Sequence, residues 1–321
     1  MTNPPYRYRL YDLVVESDSE LSLAVAAGGA PADDWHFEQV DVEDGRGRLV
    51  HDVVDFDGRR RLQVWIGADG DCIHFSHGET RAIWDRERRE IRLDAGADMS
   101  LRPAIILERV IAPIALLLQR KRHVALHASA VADAQGRAQI FVGDSGAGKS
   151  TTALELMRRG MAILADDLVM IDADRGRLLS ATPSVRLFDR PSDVPEAIDA
   201  QLVMPERDKY WYQLGRRIDA KEPPEVGGIF ALEPAEECER AVIDEITGRE
   251  AIVRVIAQAF DLTEADGPWR TRRFRTLCEL ARDRPIHRVR YPRGDRSDPA
   301  QVRALADYFG VHTEEGDADD R

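Results

Sequence analysis

One short stretch of this 321-residue chain gathers a lysine, several hydroxyls and two adjacent carboxylates. Lys149, Ser150 and Thr151 follow directly on Gly143-Asp144-Ser145-Gly146-Ala147-Gly148, and Asp166-Asp167 come shortly after. The first run fits G-x-x-x-x-G-K-[ST] at each fixed position, the spacing of a phosphate-binding loop. Glycines let the backbone curl so that successive N–H groups point inward at phosphates, and the following helix adds its positive end. In such a loop Lys149 reaches the outer phosphates of a nucleotide, and the Ser150 hydroxyl sits on Mg²⁺. The chain has four lysines, at 121, 149, 209 and 221, against 41 arginines, so a lysine here is not generic surface charge.

The motif needs a strand before it and a helix after it, and both are legible. Ala138 to Val142 reads as a short apolar strand, and Thr151 to Arg159 carries Ala153, Leu154, Leu156 and Met157 at helical spacing before Gly160 closes it. Met161 to Ile171 reads as an apolar strand interrupted by Asp166 and Asp167. Neighbouring strand residues face opposite ways, so both carboxylates are solvated only at a strand end or a polar cleft. Buried carboxylates need a cation, and nucleotide-bound Mg²⁺ is the obvious one; the alternative is a charged strand terminus in a turn.

These residues, with Ala153-Leu154-Glu155-Leu156, Arg159-Gly160 and Leu164-Ala165-Asp166-Asp167, resemble the core of bacterial HPr kinase/phosphorylase. Val124-Ala125-Leu126-His127-Ala128-Ser129-Ala130-Val131 is similar to the histidine-containing strand of the same family. The resemblance, strong from about Leu126 to Ile171, implies an α/β fold with a P-loop kinase core related to phosphoenolpyruvate carboxykinase. It also implies ATP and Mg²⁺ as cofactors. By position, Asp167 would accept the proton of a substrate hydroxyl, with His127 as its active-site partner and Lys149 as the phosphate clamp. Gly143, Asp144, Ser145, Gly146, Ala147, Gly148, Lys149, Ser150 and Thr151 would form the nucleotide cradle, with Ser150 and Asp166 at the metal. For His127 alone, a core histidine bonded to backbone is the other reading.

Two places depart from the family. Thr151 stands where the family has Glu, and Ser184-Val185-Arg186-Leu187-Phe188-Asp189-Arg190-Pro191 stands where its glycine-rich signature and metal-contacting glutamate belong. The layout is similar to divergent HPr-kinase-like proteins of peptide-modification gene clusters, including those that phosphorylate a serine of a lasso-peptide precursor. The acceptor implied is a serine hydroxyl of a peptide or small protein. A nucleotide-binding regulatory module and a small-metabolite kinase share the same site and remain open.

A net charge of −13 disfavours nucleic acid and anionic membranes as partners. Three cysteines, Cys72, Cys238 and Cys278, are too few and scattered for a disulfide framework or zinc site and point to a reducing cytoplasm. Met1 to Arg9 is polar and is not read as a signal peptide. Ile105 to Leu118 is broken by Glu108, Arg109 and Pro113 and is too short to span a bilayer. A homo-oligomer stays open. His74 and His77 read as strand and turn histidines rather than a metal pair.

The expected organisation is a β-rich N-terminal domain over 1–98, a linking helix over 99–123, the phosphate-loop domain over 124–312 and a disordered acidic tail over 313–321. Ser100 would cap the linking helix, which carries Pro103 in its first turn. In the N-terminal part, Tyr6 to Tyr11 reads as a half-buried strand, Leu62 to Gly67 with Cys72 to Phe75 as a hairpin, and Ala82 to Trp84 with Ile91 to Leu93 as another. The segments 28–34 and 41–47 read as loops. Later strands are expected at Pro183 to Phe188, Val226 to Leu232 and Ile286 to Tyr291. Helices are expected at Thr247 to Ala259, Thr271 to Arg282 and Pro299 to Phe309. Asp193 to Arg217 reads as a polar mixed segment in which Lys209 to Gln213 either meets the acceptor or docks its aromatics on the core.

Overall fold

The computed structural model describes residues 6–11, 13–18, 20–21, 34–40, 47–54, 60–67, 72–77, 80–94, 107, 112–113, 116, 122–179, 183–187, 194, 197–204, 209–214, 223–260, 267–293 and 299–311. The expected tail, nearly all of the linking helix and most of the two early loops lie outside them. Of the linking helix, Leu107, Ala112 and Leu116 are described and wholly buried. The chain divides into two compact units, one of Met1–His123, Ser180–Thr182 and Phe260–Arg273, the other of Val124–Leu179, Pro183–Ala259 and Phe274–Arg321.

The first unit is built on one eight-stranded sheet. Its strands are β1 (Tyr6–Leu10), β2 (Leu13–Ser17), β3 (Asp34–Gln39), β4 (Arg48–Val54), β5 (Arg60–Ile66), β6 (Cys72–His77), β7 (Thr80–Asp85) and β8 (Glu90–Asp94), in the order β1-β2-β3-β8-β7-β6-β5-β4. Both expected hairpins form, with Ile66 opposite Ile73 and Trp84 opposite Ile91. Period-two alternation puts Tyr8, Leu10, Trp35, Phe37, Trp84, Ile91 and Leu93 inside, where the Trp35 and Trp84 ring centroids lie 3.8 Å apart.

The second unit opens with β9 (His123–Leu126), β10 (Ala128–Ala132) and β11 (Ala138–Val142), then α1 (Lys149–Arg158), β12 (Ala162–Ala165), β13 (Val169–Asp172), β14 (Arg177–Leu178) and β15 (Ser184–Leu187). It continues with β16 (Ala197–Met204), β17 (Lys209–Leu214), β18 (Val226–Pro234), β19 (Val242–Ile246), α2 (Gly248–Ala257), the part from Phe274 onward of α3 (Gly267–Asp283), β20 (Ile286–Tyr291) and α4 (Ala300–Phe309). The order β12-β10-β11-β18-β20-β19 makes a mixed six-stranded sheet in which β11, β18 and β20 run parallel. Helices cover both faces, as a parallel centre requires. On one face Ile140, Val142, Ile229 and Ile286 pack with Ala251 and Val255 of α2 and Leu277 and Leu280 of α3. On the other, Phe141, Phe230, Val289 and Tyr291 pack with Leu154 and Leu156 of α1 and Val302 and Leu305 of α4. The fold is thus mixed α/β. Among the described residues no helix is long and apolar enough to cross a membrane.

Three expectations are corrected. The single strand read over 161–171 is two strands in different sheets, β12 in the six-stranded sheet and β13 in a β14-β13-β9 sheet. Asp167, with φ of 69°, turns the chain between them. Likewise 124–131 is β9 and β10, separated at His127, one in each of those same two sheets. Within 193–217, β16 and β17 form an antiparallel sheet with β15. Tyr212 and Leu214 of β17 join the core on the α1 side, so the aromatics dock the segment inward.

Candidate functional site

The C-terminal end of β11 delivers the chain into the glycine loop. Gly143, Gly146 and Gly148 have φ of 149°, 85° and 79°, the left-handed region that favours glycine. A Cβ at Gly143 would stand 2.7 Å from the carbonyl oxygen of Leu232 on the neighbouring β18, so the loop's first residue has no room for a side chain. The loop then enters α1, whose first residue is Lys149. Asp144, Ser145 and Gly146 at its crest are exposed, while Ala147 and Lys149 are buried. The Lys149 ammonium folds back over the loop and donates to the carbonyls of Gly143 at 2.7 Å and Asp144 at 3.2 Å. From the far side, the buried Tyr291 hydroxyl donates to the Ala147 carbonyl at 2.5 Å. Burial pushes that phenol up to about 12.

The carboxylates lie beside this loop. Asp166 is fully buried. Its Oδ1 accepts from the Ser150 hydroxyl at 2.9 Å and from the Ser129 hydroxyl on β10, and its Oδ2 accepts from the Arg186 main-chain N–H on β15 at 2.7 Å. A buried carboxylate held by three donors is a fixed acceptor that orients the loop serine.

Asp167 turns the other way because its backbone is left-handed, a conformation that a short polar side chain tolerates. The Arg186 guanidinium donates to Asp167 Oδ2 at 2.6 Å, a charge-assisted contact. His127 Nδ1 lies 3.0 Å from the Asp167 carbonyl and 3.8 Å from its Oδ1. A carbonyl only accepts, so the ring's Nδ1 carries the proton in that contact and Nε2 is left as the acceptor of a neutral imidazole. The loop bearing His127 is held by its own N–H to the Gln258 carbonyl at 2.8 Å, just past α2. The His127 side chain is 47% exposed and so lies outside the core, while its Nδ1 makes the backbone bond that the other reading expected.

The nine loop residues from Gly143 to Thr151, with Asp166, Asp167 and His127, are therefore brought to the loop end of the sheet. Three contributors escaped the sequence. Ser129 stood in the histidine strand without a role, Arg186 stood in the departing segment, and Tyr291 closed an ordinary strand. Only the serine carries a detectable signal: an inward hydroxyl in an otherwise apolar run must find a partner.

A mixed α/β protein whose glycine loop opens a helix beside paired carboxylates has the parts of a phosphoryl-transfer site. Comparison with curated proteins points the same way. The chain is 36% identical over 132 residues to the HPr kinase/phosphorylase of Clostridium botulinum (strain Alaska E43 / Type E3), covering 40% of this chain and 41% of that protein. It is 30% identical over 132 residues to the enzyme of that name from Clostridium perfringens (strain 13 / Type A), covering 40% of each. To the one from Treponema pallidum (strain Nichols) it is 40% identical over 83 residues, 26% of this chain and 23% of that protein. No family model matches. The two clostridial matches span about two fifths of the length of those relatives and the third under a quarter; over that stretch the chain is HPr-kinase-like.

Proposed function

We propose that the protein is an ATP-dependent phosphotransferase that moves the γ-phosphoryl group to a hydroxyl, with a serine of a peptide or small protein as acceptor. One observation carries this reading: the hydrogen-bonded path from Ser150 through Asp166 to Arg186 and Asp167 ties the glycine loop to the carboxylate pair. Phosphoryl transfer asks little covalent chemistry of the protein, so positioning and charge neutralisation suffice. The fold proposed for 124–312 is a P-loop core of the HPr kinase and phosphoenolpyruvate carboxykinase type, preceded by a β-rich domain over 1–98 and a linking helix over 99–123.

The donor set suits magnesium, which takes hard oxygen ligands and is bound through one or two protein groups plus substrate phosphates. Ser150 would hold it, with Asp166 orienting that hydroxyl, and when bound it would neutralise charge on the β- and γ-phosphates. The loop amides from Asp144 to Ser150 bind phosphate, and Lys149 leaves its own loop carbonyls for the outer phosphates. Asp167 accepts the proton of the acceptor hydroxyl as the oxygen–phosphorus bond forms and the bond to the β-phosphate oxygen breaks. His127 lines the open side by which that hydroxyl arrives. The relatives are named for action on HPr; the departures at Thr151 and 184–191 argue for a different acceptor here.

The test is incubation with labelled ATP, Mg²⁺ and the peptides encoded beside the gene, followed by mass spectrometry for phosphoserine. Transfer should vanish in Lys149→Ala and Asp167→Asn, with Asp167→Asn still binding ATP. Transfer at the wild-type rate by Asp167→Asn removes the base assignment. Thr151 and the missing signature glutamate in 184–191 favour one rival, a nucleotide-binding regulator without transfer; binding of ATP with neither phosphopeptide nor hydrolysis would establish it.

A further inference from the structure

Arg186 reaches both carboxylates, and it does so with chemically different groups. Its main-chain N–H donates to Asp166 Oδ2 at 2.7 Å, and its guanidinium donates to Asp167 Oδ2 at 2.6 Å. The side chain is 17% exposed and sits on β15, whose Val185 and Leu187 anchor the strand in the core beside α1. Successive strand side chains point to opposite faces, so burying Val185 and Leu187 aims Arg186 at the carboxylates.

Asp167 needs such an anchor. It lies outside any strand, in a left-handed turn, with its side chain 24% exposed. With Oδ2 tied to Arg186, Oδ1 is the oxygen turned to the His127 side, 3.8 Å from Nδ1.

We propose that Arg186 is a positioning residue for phosphoryl transfer: its guanidinium fixes the rotation of the Asp167 carboxylate so that Oδ1 meets the incoming hydroxyl. This rests on the phosphotransferase reading above. A misplacement of about 1 Å at a reacting group costs roughly 100-fold in rate, and the charge-assisted contact at 2.6 Å restrains Asp167 Oδ2 against it. The contact to Asp166 uses the main chain, so a substitution at 186 keeps it and leaves the Ser150 side of the site in place. Loss should therefore appear in kcat and not in nucleotide binding.

The experiment uses the full chain and ATP hydrolysis, in which water replaces the acceptor hydroxyl, for the wild type, Arg186→Ala and Arg186→Lys. We expect kcat to fall about 100-fold in Arg186→Ala, with the KM for ATP and the affinity for ADP unchanged. Arg186→Lys should recover part of the rate, since an ammonium restores charge without the planar fork. Millimolar guanidinium should recover part of the Arg186→Ala rate, which a merely structural role would not allow. Unchanged ADP affinity also certifies that the variants fold. A normal kcat in Arg186→Ala, or a fall in ADP affinity that tracks the fall in rate, overturns the proposal while the phosphotransferase reading stands. No turnover of ATP by the wild type, with or without a peptide acceptor, overturns both.

Discussion

The glycine loop and the carboxylate corner are neighbours in one site, yet they are made in opposite ways. The loop is contiguous: nine residues in a row supply its glycines, lysine and hydroxyls, and one helix start orients them. The corner is assembled from four places, with His127 after β9, Ser129 on β10, Asp166 and Asp167 after β12, and Arg186 on β15. A local device is specified by short-range sterics, whereas an assembled one depends on every strand holding its register. Damage should therefore differ in kind, local strain at the loop and lost partners at the corner.

Gly143→Ala probes the loop most severely. The φ of 149° and the Leu232 carbonyl 2.7 Å from a new Cβ leave no relaxed position, so about 1–3 kcal/mol of strain is expected. Nucleotide affinity should drop tenfold or so for each 1.4 kcal/mol lost from the bound geometry. Denaturant unfolding together with ADP titration checks this; wild-type affinity would show that the loop tolerates a side chain there.

At the corner, Ser129→Ala removes a hydroxyl donor to the buried Asp166 carboxylate. The loss should be about 1–3 kcal/mol, read by chemical denaturation. Because Asp166 also orients Ser150, the Mg²⁺ concentration needed for half-maximal turnover should rise while ADP binding without metal stays put. An unchanged metal requirement would separate Ser129 from the site.

Tyr291→Phe is the mildest change and returns to the loop. Losing the hydrogen bond to the Ala147 carbonyl should cost about 0.5–1.5 kcal/mol and raise the KM for ATP more than it lowers kcat. The phenol, raised from 10.0 to about 12 by burial, binds its proton more tightly folded than unfolded. Its contribution to stability is full below pH 10 and is lost as pH climbs through 12, so wild type should lose more stability than Tyr291→Phe across that window. Equal alkaline loss in both would mean that this hydroxyl carries no such linkage.

The same contrast explains what could be read in advance. The loop, α1 and the flanking β11 were legible because glycine spacing and helical periodicity are local signals. So were both hairpins of the first unit and the buried β18. The carboxylate pair offered a strand end at Asp166-Asp167 as one reading, but neither it nor the run through His127 carries a mark that the chain changes sheets there. β17 was taken for a polar segment because Tyr210-Trp211-Tyr212 shows no alternation, although Trp211 and Tyr212 are both buried. The bond from Arg186 to Asp167 spans 19 residues and two separate strands, which no window on the sequence detects.

One feature of the fold reaches into how the site can move. The chain passes between the same two sheets twice, from β9 to β10 at His127 and from β12 to β13 at Asp166-Asp167, and the His127 ring bonds the Asp167 carbonyl where the passages meet. A rocking of one sheet on the other would carry this pair as a single cog, its internal spacing kept while its distance from the loop crest changes.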